Sequence, residues 1–248
     1  MSTGGASGLR AALVVPALDE EGAIGAVVRG FLGTGRLARV VVGDNGSRDA
    51  TAAVARDAGA EVVAEPARGY GRACLAALAH LAATGAPDVV VFADGDGACD
   101  PADLAALLAP LEAGRADLVI GSRVRRAAPG ALTPPQRFGN ALASAALTHV
   151  YGVPTTDLGP FRAIRWAALE RLAMEDPTYG WTVEMQVKAA VQGLRVVEVD
   201  VAHGPRRAGT SKVSGTVRGV WGAGRKIIGV LVRHGGARRG VPSGRGAE

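Results

Sequence analysis

The chain has 248 residues, of which 48% are hydrophobic, so it is long enough to form one large α/β domain with a substantial core. Its formal net charge of +5 suits a phosphorylated substrate, an anionic membrane surface or nucleic acid. The only cysteines, Cys74 and Cys99, have neither a CxxC nor a zinc spacing, which argues against a zinc site and favours reduced cytosolic thiols.

Both ends of the chain differ in composition from its middle. Residues 1–10 are small, polar and Gly-rich, which predicts a flexible N-terminus without the apolar run of a signal peptide. Residues 218–234 mix cations with apolar residues, which is typical either of an amphipathic membrane-surface helix or of an ordinary helix packed on the domain. Residues 235–248 are rich in Gly and Arg and predict a disordered tail. No uncharged apolar run is long enough to predict a transmembrane helix.

The first predicted strand, Ala11–Val15, ends at Pro16, and a helical pattern follows over Gly22–Leu32. The acids between them suit a helix N-terminus, where the helix dipole favours negative charge. The alternative is functional: Pro16, Leu18 and Glu20 lie at the mouth of the predicted sheet, where a nucleobase or ribose can bind.

A second strand, Val40–Val42, leads into Asp44 and an Asn-Gly turn. Ser47 or Asp49 is predicted to cap the helix Ala50–Ala58. Capping leaves Asp44 unexplained, and a carboxylate directly after a buried strand suits hydrogen bonds to a base edge or ribose hydroxyls. A third, short strand is predicted at Glu61–Ala64.

Glycines and two cations occupy the stretch from Arg68 to Arg72, just before a predicted helix that runs to about Ala83. A helix N-terminus of this composition can receive a phosphate. The sequence contains no Walker A motif and no GxGxxG after its first strand, so a P-loop ATPase and a dinucleotide dehydrogenase are set aside.

The run of apolar residues from Val89 to Ala93 predicts a strand buried on both faces, and two aspartates follow it directly. Asp94 and Asp96 would repel each other unless a cation lay between them, and carboxylates are the ligands that Mg²⁺ and Mn²⁺ prefer. Gly95 and Gly97 would allow unusual backbone angles there. The alternative is a polar loop with a tight glycine turn.

The remaining elements continue the alternation of strands and helices, which predicts a mostly parallel sheet. They are a helix at Asp103–Glu112, a strand at Asp117–Gly121, a basic Pro-rich loop at Arg125–Pro135, helices at Arg137–Val150, Trp166–Leu172 and Thr182–Gln192, and a strand at Leu194–Val201. A short strand is also expected after the loop Thr156–Arg162. The basic loop His203–Lys212 that follows is either a solvated surface loop or a binding element, because its cations would be costly to bury unpaired.

Five motifs occur in an order that resembles family 2 glycosyltransferases, and most closely their dolichyl- and polyprenyl-phosphate sugar transferases. They are Val-Pro-Ala-Leu-Asp-Glu-Glu at 15–21, Gly-Asp-Asn-Gly-Ser-Arg-Asp at 43–49, Ala-Asp-Gly-Asp-Gly-x-x-Asp-Pro at 93–101, Gly-Ser-Arg at 121–123 and Arg-x-Gly-x-Ser-Lys at 207–212. The resemblance implies a GT-A fold over residues 11–217: a Rossmann-like, mostly parallel α/β sheet flanked by helices, in one continuous domain.

The resemblance also implies roles for individual residues. Pro16, Leu18, Glu20 and Asp44 would hold the base and ribose, and Asp94 and Asp96 would form the Asp-x-Asp pair, with Asp96 the direct metal ligand. Arg123 and Arg137 would face phosphates, while Arg207, Ser211 and Lys212 would belong to a mobile loop that closes over the diphosphate. Two departures stand out: Asp19 replaces a common Asn, and Ala98 replaces a Gln or His that can be a third metal ligand.

The implied reaction is inverting transfer of a sugar from a nucleotide-diphosphate sugar, of UDP-glucose or GDP-mannose type, with Mg²⁺ or Mn²⁺ as cofactor. A lipid phosphate acceptor needs guiding cations and no base, whereas a hydroxyl acceptor needs a placed carboxylate, for which Asp157 and Glu184 are the candidates. Five arginines favour a polyprenyl phosphate and leave a hydroxyl acceptor open; they are Arg123, Arg125, Arg126, Arg137 and Arg162. The expected location is cytoplasmic, peripheral at the cytoplasmic membrane face.

Two other classes were weighed against this one. A non-catalytic nucleotide-sugar or nucleic-acid binding module fits the pI of 9.8, but the cations lie in loops beside acids, without a nucleic-acid motif or an aromatic platform, so no nucleic-acid partner is expected. A sugar nucleotidyltransferase would need a Gly-rich N-terminal signature that the chain lacks.

Overall fold

A computed structural model describes residues 9–207, and its strands form one sheet. The strands are β1 (Ala11–Ala17), β2 (Arg39–Asp44), β3 (Glu61–Ala64), β4 (Val89–Phe92), β5 (Leu118–Ser122), β6 (Arg162–Arg165) and β7 (Val196–Asp200). The helices are α1 (Glu21–Leu32), α2 (Thr51–Asp57), α3 (Tyr70–Thr84), α4 (Leu104–Glu112), α5 (Pro134–Tyr151), α6 (Trp166–Leu172) and α7 (Trp181–Val191), with a 3-10 turn at Pro101–Asp103 before α4.

The sheet has the strand order β3-β2-β1-β4-β6-β5-β7. Strands β1 to β4 pair in parallel, as do β5 and β7, while β6 runs antiparallel between β4 and β5. The prediction of a mostly parallel α/β sheet in one domain is therefore confirmed, with β6 as the exception. Parallel pairing brings the carboxyl ends of β1, β2 and β4 to one edge of the sheet, where ligands bind in open α/β folds.

Helices cover both faces of this sheet. Alternate residues of one strand enter different cores: Leu13 and Val15 pack in one, Ala12 and Val14 in the other. This alternation explains why β1 and β4 read as unbroken apolar runs, since both sides of each strand are buried. Both cysteines are free and buried within these cores.

Strand β1 runs two residues past its predicted end, through Pro16 to Ala17. Its pairing with β4 stops at Val14, so beyond that point β1 pairs only with β2. Proline has no backbone N–H to donate to a neighbouring strand, so it is tolerated where one side of a strand is unpaired. The extension carries Pro16 and Ala17 to the edge of the sheet.

Two helix starts differ from prediction for local reasons. Helix α5 begins at Pro134, three residues before Arg137, because Thr133 and Gln136 form a capping box with proline in the first turn. Helix α3 begins at Tyr70, which places Arg72 inside the helix and not in the loop before it.

The predicted cap of α2 is only partly correct. Ser47 does not cap the helix, because its Oγ accepts a hydrogen bond from the Asp19 N–H at 2.9 Å. Asp49 Oδ1 does accept from the Thr51 N–H at 3.0 Å, although it lies two residues before the helix.

The start of α3 is locked by close packing that only glycine allows. A Cβ on Gly71 would lie 1.8 Å from the Asp176 carbonyl oxygen, and one on Gly69 would lie 2.1 Å from that of Pro177. The Arg72 N–H donates to the Pro177 carbonyl at 3.1 Å, which fixes the same approach. The glycines that suggested a phosphate loop are thus required for packing against residues 176–177.

We expect Gly71→Ala to destabilise the fold by about 2 kcal/mol or more, because the clash with backbone outweighs the gain in helix propensity. The matched control is Gly139→Ala in α5, where an added Cβ meets nothing within 4 Å. That change should stabilise by up to about 1 kcal/mol. Urea denaturation of both variants measures the change in the free energy of unfolding, which should be negative for Gly71→Ala and positive for Gly139→Ala. A stabilised Gly71→Ala protein would contradict the packing argument.

Candidate active site

A pocket of about 260 Å³ opens at the carboxyl edge of β1, β2 and β4. Its lining comes from the end of β1, from the loops that follow β1, β2, β3 and β4, from the start of α3, and from Tyr179 and Arg206. The lining residues are Pro16, Ala17, Leu18, Glu20, Asn45, Arg68, Gly69, Tyr70, Ala73, Asp94, Gly95, Asp96, Tyr179 and Arg206. Three of them are carboxylates, at the position where the fold concentrates ligand binding.

The two predicted metal ligands both line this pocket, directly after β4. Burial, and next the nearby charge of Asp96, raise the pKa of Asp94 to about 6. The Tyr70 hydroxyl donates to Asp94 Oδ1 at 3.1 Å, and the Ala98 N–H donates to Asp96 Oδ1 at 3.0 Å. A cation placed between the carboxylates would reverse the repulsion that raises the pKa of Asp94.

Only one of the two glycines beside the acids has an unusual backbone angle. Gly97 has a φ of +76°, and a Cβ there would lie 2.7 Å from the Arg207 side chain. Gly95 has no positive φ, and an added Cβ would make ordinary contacts from 3.4 Å outward.

Arg206 is the cation that meets the acids in this structure. Its guanidinium pairs with Asp96 Oδ2 at 3.0 Å and with Glu20 Oε1 at 2.5 Å, so it links the loop after β1 to the loop after β4. The neighbouring Arg207 contributes its backbone N–H to the Asp96 carbonyl at 2.9 Å. The segment that contains Arg206 and Arg207 therefore lies directly over the acidic pair.

The loops after β1 and β2 are tied together by hydrogen bonds that position Glu20. The Glu20 N–H donates to Thr51 Oγ1 at 2.7 Å, and the Arg48 N–H donates to Asp19 Oδ1 at 2.8 Å. Asp19 has a φ of +48°, a conformation for which Asp and Asn are the most tolerant residues after glycine. Asp19 therefore adopts this conformation at low cost.

Asn45 organises the opposite wall of the pocket. Its Nδ2 donates to the carbonyls of Glu65 and Ala67, and its Oδ1 accepts from the Gly69 N–H at 2.7 Å. These bonds hold Arg68 and Gly69 at the pocket, next to Tyr70. Asp44, one residue earlier, is buried, and its Oδ1 accepts from the Ser47 N–H at 3.3 Å.

Arg123 and Asp157 form a buried ion pair. Two guanidinium nitrogens of Arg123 each lie 2.7 Å from an Asp157 oxygen, and the Arg123 N–H donates at 2.8 Å. The Asp157 side chain is 1% exposed. Burial alone would lower the pKa of Arg123, but the bonds to Asp157 raise it. Two residues predicted to have separate roles are thus each other's partner.

Glu184 holds the segment 175–179 in place. Its carboxylate accepts from the N–H groups of Glu175 at 3.0 Å and Asp176 at 2.8 Å, and it pairs with Lys188 at 2.7 Å. The same segment packs on Gly69 and Gly71 and carries Tyr179 to the pocket. The Glu184 carboxylate therefore supports the pocket wall by accepting hydrogen bonds from the backbone of the 175–179 segment.

Two further polar groups lie deep beside the site. Arg162 is fully buried and donates to the carbonyls of Leu158, Gly159 and Thr182; burial lowers its pKa to about 10. Burial, and next the charge of Arg123, lower the pKa of His203 to about 4, so its imidazole is neutral at pH 7.

The structure thus sorts the predicted site residues into three groups. Those that line the pocket are Pro16, Leu18, Glu20, Arg68, Asp94 and Asp96. A second group lies within the described residues but does not line the pocket: Asp44, Arg123, Arg137, Asp157, Glu184 and Arg207. Of these, Arg137 is exposed on α5. Ser211, Lys212 and the predicted segments 218–234 and 235–248 lie outside the described residues. The roles assigned to all of these residues stay predictions.

Sequence reasoning missed four polar or aromatic residues of the pocket: Asn45, Tyr70, Tyr179 and Arg206. Asn45 is part of a turn signal, which hides its role, although it directly follows Asp44. Arg206 stands next to the selected Arg207, and the basic loop alone does not distinguish them. Tyr179 has no signal in the sequence, because its contact depends on how the 175–179 segment packs.

No cluster of three or more His, Cys, Asp or Glu side chains with metal-binding geometry occurs between residues 9 and 207. Any divalent cation at Asp94 and Asp96 would need further oxygens from a bound diphosphate or water.

The family model described as Glycosyl transferase family 2 matches residues 12–172. An uncharacterized glycosyltransferase of Mycobacterium tuberculosis is 43% identical over 208 residues, which cover 84% of this chain and 91% of the relative. A polyprenol monophosphomannose synthase of Mycolicibacterium smegmatis is 30% identical over 227 residues, covering 84% of this chain and 82% of the relative.

Among solved structures, the chain is similar to a glucosyl-3-phosphoglycerate synthase of Mycobacterium tuberculosis in complex with Mn²⁺, UDP-glucose and phosphoglyceric acid. The TM-score is 0.73 at 26% identity, covering 93% of this chain and 81% of the neighbour. The same neighbour has also been solved with Mg²⁺ and UDP. These likenesses confirm the GT-A fold.

Proposed function

Since this chain belongs to glycosyl transferase family 2, we propose that it transfers a sugar from a nucleotide-diphosphate sugar to a polyprenyl phosphate. The observation that carries the proposal is the pocket in which Glu20, Asp94 and Asp96 converge at the carboxyl ends of β1 and β4. The donor is of UDP-glucose or GDP-mannose type. The relative named as a polyprenol monophosphomannose synthase supports the acceptor class.

Asp94 and Asp96 fit a divalent cation, Mg²⁺ or Mn²⁺, because two close acids in a partly buried pocket need compensating charge. The complexes of the structural neighbour with Mn²⁺ and Mg²⁺ support the same choice. When bound, the cation would stabilise negative charge on the leaving diphosphate. Arg206 already neutralises part of the pocket through Glu20 and Asp96.

The protein residues divide the work of binding and orientation. Pro16, Leu18 and Asn45 line the side of the pocket where a base and ribose fit, and Arg68 provides a cation at its rim. Arg206, which pairs with Asp96, would contact the diphosphate. Arg207, Ser211 and Lys212, which follow it in the chain, are proposed to close over the same group. The acceptor oxygen forms a bond to the anomeric carbon as the bond from that carbon to the diphosphate oxygen breaks, with inversion.

The positions of the carboxylates support a lipid phosphate as the acceptor. The acids that line the pocket are Glu20, Asp94 and Asp96, while Asp157 is bonded to Arg123 and Glu184 to Lys188 and two backbone N–H groups. A lipid phosphate is an oxyanion near neutral pH and needs no base. Arg137, exposed on α5, is the cation proposed to guide it.

A second candidate is transfer to a hydroxyl of a small phosphorylated acceptor. The structural neighbour favours it, since that protein has been solved with phosphoglyceric acid. In this case Asp157 or Glu184 would have to leave its present partners to act as a base.

We propose a peripheral position at the cytoplasmic membrane face, where a lipid phosphate and a nucleotide sugar can meet. Among residues 9–207, no helix is long and apolar enough to cross a membrane.

Mass-spectrometric product analysis tests the proposal. The full-length protein is incubated with a panel of nucleotide sugars and Mg²⁺ or Mn²⁺, once with a short polyprenyl phosphate and once with phosphoglyceric acid. We expect a glycosyl-phosphoprenol from one donor and no product in EDTA. Product formed only from phosphoglyceric acid would favour the second candidate, and a chain inert with every donor would contradict both.

A further inference from the structure

The outward side of α5 is apolar where a surface helix is normally polar. Its buried side consists of Ala143, Ser144 and Leu147. On the opposite side lie the residues that we call the α5 stripe, which are Phe138, Ala141, Leu142 and Ala145. Their spacing of i, i+3, i+4 and i+7 is that of a helix face that packs against an apolar partner. Yet Phe138 is 72% exposed and Leu142 is 60% exposed.

Exposed arginines lie close to this stripe in the sequence. Between Asp117 and Asp157 the chain has no acidic residue and four arginines; Arg123 pairs with Asp157, Arg126 with Asp103 and Arg125 with Asp200, and the fourth is Arg137. The Arg125 side chain is 80% exposed, and Arg137 is exposed next to Phe138. Val124, between two of these arginines, is 60% exposed. Exposed apolar residues flanked by cations suit a surface that is apolar inside and anionic outside.

Helix α5 is attached firmly to the site region. The Leu158 N–H donates to Asn140 Oδ1 at 2.8 Å, and Asn140 Nδ2 donates to the Thr156 carbonyl at 3.0 Å. These bonds lie on either side of Asp157, the partner of Arg123. Whatever binds the α5 stripe is therefore held beside the end of β5.

We propose that the α5 stripe and its flanking arginines dock this protein on an anionic lipid bilayer, with Phe138 and Leu142 inserted at the headgroup boundary. This docking would bring the site to a lipid phosphate, and in that respect alone the proposal rests on the proposed function. Affinity would come from apolar burial together with attraction between arginines and anionic headgroups.

Charge argues against two other occupants of the stripe. A second copy of the chain packed about a twofold axis would bring the same arginines together from both sides. The chain's own residues 216–232 carry Arg218, Arg225 and Lys226 and no acid, so they too would place cations against cations. An anionic bilayer complements the patch in both apolarity and charge.

Flotation of the full-length protein with lipid vesicles, in the absence of any substrate, tests the docking surface. We expect co-flotation with phosphatidylcholine vesicles that contain phosphatidylglycerol, weaker binding to pure phosphatidylcholine, and release by salt. The double variant Phe138→Ser/Leu142→Ser should lose binding by roughly tenfold or more, because two apolar side chains no longer enter the bilayer. Val150→Ser is the control, since Val150 is 45% exposed on the same helix but lies outside the stripe.

Two results would overturn the proposal: vesicle binding by the double variant equal to that of the unaltered chain, or no binding of the unaltered chain to anionic vesicles. If light scattering shows that the unaltered chain and the Val150→Ser control are dimers and that the double variant is a monomer, the stripe is an interface with a second copy instead. Circular dichroism checks that the variants are folded. Because no substrate is present, vesicle binding without any transfer to polyprenyl phosphate would reject the acceptor and leave the docking surface intact.

Discussion

Asp96→Asn is expected to lower sugar transfer by roughly a hundredfold or more while the protein stays folded. Asparagine keeps the shape of the side chain and an oxygen that can accept the Ala98 N–H, so the turn after β4 is retained. What is lost is the negative charge that pairs with Arg206 and that would hold a divalent cation at the leaving diphosphate. The turnover number with saturating donor measures this loss.

The matched control is Asp100→Asn, four residues later. Asp100 is exposed and does not line the pocket, and the one described hydrogen bond to its carboxylate comes from the Ala102 N–H at 2.9 Å. It should retain nearly full activity. EDTA should abolish turnover of the unaltered chain, and added Mn²⁺ or Mg²⁺ should restore it. Full activity of both the EDTA-treated chain and Asp96→Asn would show the metal assignment to be wrong.

The fold was predictable because the strongest signals in this chain are local. Short valine-rich runs such as Val89–Phe92 favour a strand buried on both faces, and strands that alternate with helices favour parallel pairing. The antiparallel position of β6 was not predictable, because strand direction depends on how the chain returns from α5, which leaves no mark in the composition of β6.

The site was predictable at strand ends and less so elsewhere. Glu20, Asp94 and Asp96 lie in the loops that follow β1 and β4, and the parallel topology brings these loops together. Arg206 and Tyr179 reach the pocket from distant segments whose path is set by tertiary contacts, such as the approach of residues 176–177 to Gly69 and Gly71. A sequence can show that a loop is basic, but it does not show which arginine meets the acids.

The ion pair between Arg123 and Asp157 illustrates the same limit. Each residue has a plausible separate role when taken alone, one toward phosphate and one as a base. In the structure, the bidentate contact satisfies both charges. Breaking a buried pair by removing one partner costs about 3 kcal/mol or more, so a change at either residue affects stability first.

Arg137→Ala is expected to reduce kcat/KM with a short, water-dispersed polyprenyl phosphate by roughly tenfold to a hundredfold, the size of a lost hydrogen bond to a charged group. Arg137 is exposed in the first turn of α5, so its removal should leave the melting temperature almost unchanged. Arg115→Ala is the charge-matched control, because Arg115 is likewise exposed but lies in the loop after α4, outside the basic stretch from Arg123 to Arg137.

The carboxylate variants complete the comparison. Glu184→Gln and Asp157→Asn should lower the melting temperature, since each carboxylate has a cationic partner and backbone donors. With a phosphate acceptor, their turnover per folded molecule should fall less than that of Arg137→Ala, because no proton has to be removed from the attacking oxygen. With a hydroxyl acceptor, the variant that lacks the base should lose roughly 10²- to 10⁴-fold, while Arg137→Ala would be mild. A loss dominated by one carboxylate, in protein shown to be folded, would therefore reject the lipid phosphate and keep only the glycosyltransferase assignment.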